Sequence, residues 1–211
     1  MFQNRKLIWA LAILPLILII LNFIIFFDRI SVSDVTDAES VTADAQAQCL
    51  QNIVGECLIL PILSGLTINS AEITFPDAFE TDYQLVVMPF DREQQELAVT
   101  WLPLFQELVA ETDQADLWSI AALPELNAGI RLLVLGGLSA AISDADIRPQ
   151  ITAVFLADQQ ALLDQLAVES PDDVRVFIMD AEGVIYYTDH GVYTDDADIA
   201  FRAAFQELLA Q

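Results

Sequence analysis

Lysine is all but absent from this 211-residue chain. Lys6 is the only one, and beyond residue 27 six arginines (Arg29, Arg92, Arg131, Arg148, Arg175 and Arg202) stand against all 32 aspartates and glutamates; with Arg5 and Lys6 counted, the whole chain has a formal net charge of −24. A field of that sign repels nucleic acid and anionic headgroups, which excludes nucleic acid as a partner. Histidine occurs once, so Ser-His-Asp or Cys-His catalysis would have to run through His190. Cysteine occurs twice, at Cys49 and Cys57, without the C-x-x-C spacing that lowers a thiol pKa for exchange chemistry. There is no P-loop, dinucleotide glycine pattern, zinc motif or internal repeat.

Apolar residues, by contrast, make up 55% of the chain. Leu7 to Phe27 is a run of 21 residues without a charge, interrupted only by Pro15 and Asn22. As a helix it would be about 31 Å long, enough to cross a bilayer core. Arg5 and Lys6 precede it and Asp28, Asp34, Asp37 and Glu39 follow, so the positive-inside bias places the N-terminus in the cytoplasm and the rest outside. A cleaved signal peptide is the competing reading, but its apolar region spans about 7 to 15 residues and ends in a small-residue site. The expected organisation is a cytoplasmic stretch at 1–6, a single-pass membrane anchor at 7–27, a linker and N-terminal extension at 28–66, and one extracytoplasmic domain at 67–211.

Outside the membrane the acids are scattered, which favours a solvated, salt-tolerant surface over a face built for a basic partner or for divalent cations. In an oxidising compartment Cys49 and Cys57 are a candidate structural disulfide closing a short loop. Ile30 to Gln48 has no strong period and suits a linker. Asp44 to Cys57 is alternatively a short helix, with Leu58 to Leu63 then packing on the domain or on the bilayer.

The domain itself is organised around Tyr83 to Glu111. Tyr83 to Phe90 is a short apolar run that reads as a buried strand. Asp91 follows as an N-cap, with Gln94 at the capping-box position, and Leu97, Trp101, Leu104, Phe105 and Leu108 recur on one helical face. Ile68 to Pro76 predicts an edge hairpin. A second strand runs over Leu117 to Leu123, then a helix over Leu126 to Ile142 with Ile130, Leu133, Val134 and Leu138 inward and a bend or tight contact at Gly136-Gly137. Ile151 to Leu156 is a third strand, followed by a short helix over Asp158 to Val168. Val174 to Met179, the turn Asp180-Ala181-Glu182-Gly183 and Val184 to Thr188 form a hairpin. A closing helix from Asp195 or Asp196 buries Phe201, Phe205, Leu208 and Leu209. Alternating strands and helices argue for parallel βαβ units in an α/β fold.

That order, with the hairpin Phe177 to Ile185 and its Asp-x-x-Gly turn, resembles the thioredoxin-like superfamily with the extra strand-helix of peroxiredoxin-like members. The resemblance covers Ile73 to Ala210 and implies a central mixed β-sheet flanked by helices, here behind one transmembrane helix. The cysteine-free turn and the anchor are similar to a narrower group, the mitochondrial ATP-synthase assembly factor of thioredoxin-like fold and its bacterial relatives. Thioredoxins and peroxiredoxins carry a reactive cysteine where this chain has Asp91, Arg92, Glu93 and Gln94, and none of these side chains replaces a thiolate. Thioredoxins also place a cis-proline just before the strand that enters the hairpin, whereas Asp172-Asp173 stand there and Pro171 is slightly early.

The functional expectation is accordingly a non-catalytic domain that binds protein, in assembly or scaffolding of a membrane complex. Its candidate surface is Asp91, Arg92, Glu93 and Gln94, the alternative there being an ordinary capped helix start. No catalytic, cofactor or metal residue is assigned. His190 has a bland account as a turn residue, and the conceivable metal set Asp189, His190, Asp195 and Asp196 matches no ligand motif. Arg131 either pairs with acids or faces a partner, and Trp101, Trp118 and Phe105 belong to the core. The enzyme alternative is thiol-disulfide or peroxide handling by Cys49 and Cys57. An acidic sensor ranks third, with only six residues ahead of the anchor.

Overall fold

The structure, a computed structural model, describes residues 58–141 and 147–210. The expected membrane anchor, the linker up to residue 57, Cys49 and Cys57 lie outside the described residues. Among the described residues no helix is long and apolar enough to cross a membrane.

Seven strands form one mixed sheet: β1 (Leu63–Thr67), β2 (Glu72–Phe75), β3 (Tyr83–Met88), β4 (Ala115–Pro124), β5 (Ile151–Leu156), β6 (Arg175–Asp180) and β7 (Ile185–His190). Their order across the sheet is β2-β1-β5-β4-β3-β6-β7. β3, β4 and β5 run parallel, with crossovers through α1 (Gln95–Ala110) and α2 (Ala128–Ala141). β6 returns antiparallel to β3 after α3 (Gln159–Gln165), β7 completes the hairpin, and α4 (Asp195–Leu209) closes the fold. The sheet reaches back into the expected N-terminal extension, since β1 pairs antiparallel with β5 and Leu60 and Leu63 are buried.

Period-two alternation divides the core into two layers. Leu85, Val87, Leu117, Ala121, Val176 and Ile178 point to the side packed by α1, α2 and α4, where Trp101, Phe105, Phe201 and Phe205 join them. Val86, Met88, Ile120, Ala122, Phe177 and Met179 point to the other side, against α3 and the chain around Leu60 and Phe75. Phe105 stacks on Phe201 at 5.1 Å on the first side, and Phe75 meets Trp118 edge-on at 5.2 Å on the second. Each such buried aromatic side chain contributes roughly 2–3 kcal/mol through area removed from water. These are the core positions predicted for Trp101, Trp118 and Phe105.

Several local expectations are corrected. α1 begins at Gln95, and its N-cap is Gln94 in helical conformation, not Asp91. The N-terminal hairpin turns at 68–71, so Ile68 belongs to the turn and the first strand precedes it. α2 runs without interruption through Gly136-Gly137, and beyond the helix's own neighbouring backbone no described residue comes within 4 Å of a β-carbon built on either glycine. Leu138 is inward as expected, with Leu135 beside it and Val134 partly buried against the same cluster, whereas Ile130 and Leu133 are 43% and 76% exposed. Ile130 and Leu133 differ from expectation because, in a helix where nearly all positions are apolar, periodicity does not distinguish the inward stripe. Gly183 does take the left-handed turn conformation, at φ 82°. The cis peptide bond among the described residues is Phe75–Pro76, not one at Pro171.

Candidate functional site

β3 ends at Met88 in the middle of the sheet, so the turn after it emerges between the loops that follow β4 and precede β6. Each of those neighbours holds it. The Ala122 N–H donates to the Pro89 carbonyl at 2.8 Å. Gln159, the first residue of α3, uses its Nε2 to donate to the carbonyls of Phe90 and Ala122, both at 2.7 Å. Gln94 is only 3% exposed. Its Oε1 accepts from the Phe90 N–H at 2.8 Å, and its Nε2 donates to the Pro171 carbonyl. Asp91 Oδ1 accepts from the Gln94 N–H at 2.9 Å.

The Asp91–Gln94 partnership is therefore half of a capping box placed one turn ahead of the helix proper. Gln94 reaches Phe90 rather than Asp91 because its amide is drawn inward to satisfy the buried Phe90 N–H, which would be costly left unpaired, while its other end holds the Pro171 carbonyl. Of the four residues predicted to form one surface, Gln94 is buried as a brace, while Asp91, Arg92 and Glu93 are exposed. Two carboxylates and a guanidinium on a fixed turn can form ion pairs and directional hydrogen bonds. They supply no thiol nucleophile.

The other candidates are dispersed. His190 closes β7 with its Nδ1 3.9 Å from Asp189 Oδ1, and Asp195 and Asp196 start α4. Among the described residues no group of three or more His, Cys, Asp or Glu side chains converges for a metal ion. Arg131 is turned back on the protein: its Nε donates to the Leu126 carbonyl at 2.7 Å, its NH2 is 3.6 Å from Glu125, and its guanidinium lies 5.0 Å from the Phe155 ring centre.

Two buried polar clusters escaped the sequence reading. Gln84, fully buried in β3, accepts from the Trp118 Nε1–H at 2.9 Å and donates to the Thr81 carbonyl at 2.8 Å. Its only sequence signal is a polar residue inside an apolar run. Asp180, 9% exposed, accepts from the N–H groups of Glu182 and Val184 through Oδ1 and from the Tyr186 hydroxyl through Oδ2. Burial raises its pKa above the ordinary 3.8, with the Val184 N–H and the Tyr186 hydroxyl pulling the other way. Burial and the Asp180 charge raise the Tyr186 pKa as well. The Asp-x-x-Gly pattern marked the turn without showing that the carboxylate is drawn into it. This cluster lies at the end of the sheet opposite the 91–94 turn, because Asp180 pairs with Tyr83 and Arg175 with Met88.

No protein-family model matches the chain, and no curated protein matches it. Solved structures do. BsSco, a member of the Sco family of cytochrome c oxidase assembly proteins, aligns with a TM-score of 0.50 at 12% identity over 73% of this chain and 97% of its own. The thioredoxin domain of a thiol-disulfide oxidoreductase from Bacteroides vulgatus aligns with a TM-score of 0.45 at 12% identity over 72% of this chain and 98% of its own. A thiol peroxidase from Chromobacterium violaceum gives 0.48 at 14% identity over 72% and 86%. The chain has the thioredoxin-like fold.

Proposed function

We propose that this chain is a membrane-anchored, extracytoplasmic domain that binds protein without catalysis and serves as an assembly or scaffold factor for a membrane complex. The observation that carries the reading is the turn after β3, where a buried glutamine braces the position and only Asp91, Arg92 and Glu93 reach solvent. A turn tied to β4, α3 and the loop before β6 loses little freedom on binding, so three charged groups there can recognise a complementary surface at low entropic cost. The anchor rests on Leu7 to Phe27 and the charges flanking it. Assembly is the role named for the Sco protein, and it enters here as part of the proposal.

The alternative is thiol-disulfide or peroxide handling by Cys49 and Cys57, which lie outside the described residues. The described chain begins at Leu58, whose carbonyl accepts from the Ile185 N–H at 2.9 Å beside the Asp180–Gly183 turn, at the far end of the sheet from 91–94. The two readings separate in one experiment. Brief crosslinking of the full-length protein in its own membranes, then purification in mild detergent and mass spectrometry, is expected to recover one defined complex. Paired charge reversal, Arg92→Glu with Glu93→Lys, leaves the net charge unchanged and is expected to lose it. Recovery of redox proteins alone, through mixed disulfides to Cys49 or Cys57, overturns the non-catalytic reading.

A further inference from the structure

We propose that the outward face of α2 is a self-association surface, docking antiparallel against α2 of a second copy of this chain. Three independent observations meet there. Leu133 is 76% exposed, Leu132 56% and Ile130 43%, an apolar group that no described element covers. Within the same helix Gly136 and Gly137 are exposed, and a β-carbon on either would meet nothing within 4 Å. None of the described residues therefore requires glycine at two adjacent positions in a helix interior, where glycine is unfavourable relative to alanine. A backbone approaching from outside does require it. Finally, Leu126 to Ser143 is the longest stretch without Asp or Glu after residue 27, in a chain of net charge −24.

The charge selects the occupant. Two copies of a strongly acidic chain repel one another over most of their surfaces and can meet closely only where acids are missing. α2 is such a place, and its one charge, Arg131, is directed away from the outward face onto Glu125 and the Phe155 ring. The face is also self-complementary. On a helix, residues three and four apart are neighbours, so Leu133 stands as a knob ringed by Gly129, Gly136 and Gly137, with Ala140 one turn beyond Gly136. Under a two-fold axis each copy's Leu133 enters the glycine notch of the other, which is the isologous arrangement of a symmetric dimer. Small residues let the helix axes come close.

At 14 residues α2 presents less than the roughly 800 Å² per partner of a standard interface, so the dimer is weak and concentration-dependent. This surface is separate from the 91–94 turn, and the inference does not rest on the proposed binding role.

The test is the mass of the full-length protein in mild detergent, by sedimentation over a concentration series, for the wild type, Leu133→Asp, the double variant Gly136→Leu with Gly137→Leu, and the control Ile199→Asp on α4, which is equally exposed in character at 67%. The wild type and the α4 control are expected to dimerise with the same constant. Both α2 variants are expected to weaken dimerisation at least tenfold while their circular dichroism and unfolding midpoint show an intact fold. The glycine variant is the sharper arm, because it adds apolar surface and helix propensity and would strengthen nonspecific association. A wild type that stays monomeric throughout overturns the proposal. So does a dimer that both α2 variants retain, or α2 variants that leave the mass unchanged and instead lose a co-purifying protein or binding to neutral phosphatidylcholine vesicles.

Discussion

The side chain of Gln94 donates to the backbone carbonyl of Pro171, 77 residues further along the chain, while accepting from the Phe90 N–H at 2.8 Å. One buried amide thus joins the loop after β3 to the loop before β6.

Replacing it should loosen both. Gln94→Ala leaves the buried Phe90 N–H unpaired and releases the Pro171 carbonyl, and is expected to destabilise the full-length protein by about 2 kcal/mol. Gln94→Glu keeps an acceptor for Phe90 but turns a second oxygen, charged and buried, toward the Pro171 carbonyl, and is expected to cost more than alanine does. Urea midpoints at neutral pH decide the order. Equal and small losses would mean that the turn stands without its brace.

The Gln84–Trp118 pair offers a cleaner coupling. Trp118→Phe removes the indole N–H from the Gln84 Oε1 that it reaches at 2.9 Å, and Gln84→Leu removes the acceptor. Each single variant strands a buried polar group, whereas the double variant strands only the Thr81 contacts. A double-mutant cycle should therefore return a coupling of about 1 kcal/mol, with the double variant less destabilised than the sum of the singles. Additive losses would contradict the hydrogen bond.

Much of this architecture was legible because a β-strand advertises its faces. Tyr83 to Met88, Ile151 to Leu156 and the hairpin through Gly183 each appear where apolar runs and turn residues place them. α2 was not legible in the same way. With Ile130, Leu132, Leu133, Val134, Leu135 and Leu138 all apolar, periodicity cannot say which stripe faces the sheet, and only the tertiary contacts of Leu135 and Leu138 settle it. At the candidate site the sequence located the Asp91–Gln94 turn. It could not show that Gln94 faces inward, since its two partners include a carbonyl from a distant loop. The buried state of Asp180 was hidden for the same reason: its charge sits in a turn that Tyr186 covers from the next strand.

Asp180 carries a pH signature. Its pKa is raised by burial above 3.8, so between the unfolded and folded values the native state holds the extra proton. Stability from this group is then highest below the unfolded pKa, declines as the pH rises through that window, and levels off above the folded pKa. Asp180→Asn retains an oxygen for the Val184 and Glu182 N–H groups and an amide toward Tyr186, and removes the titration. The wild type minus Asp180→Asn difference in unfolding free energy should therefore fall with rising pH above about 4, the ordinary Asp range. Denaturant titrations from pH 3.5 to 7 measure it, and a difference that rises with pH would show the carboxylate to be stabilised, not penalised, by its surroundings.

Gly183 and Gly191 separate backbone strain from packing. Both hold positive φ, 82° and 85°, so alanine at either position costs about 1 kcal/mol in conformation. Only at Gly183 is space also short: a β-carbon would stand 3.2 Å from Leu60 Cβ, whereas Gly191 has nothing within 4 Å. Leu60 is 2% exposed, and its N–H donates to the Gly183 carbonyl at 2.8 Å, so it has little room to retreat without giving up that bond. Gly183→Ala should accordingly lower stability by about 1 kcal/mol more than Gly191→Ala. Equal midpoints for the two variants would mean that the segment around Leu60 yields freely, and that the hairpin tip does not depend on the chain leading into the fold.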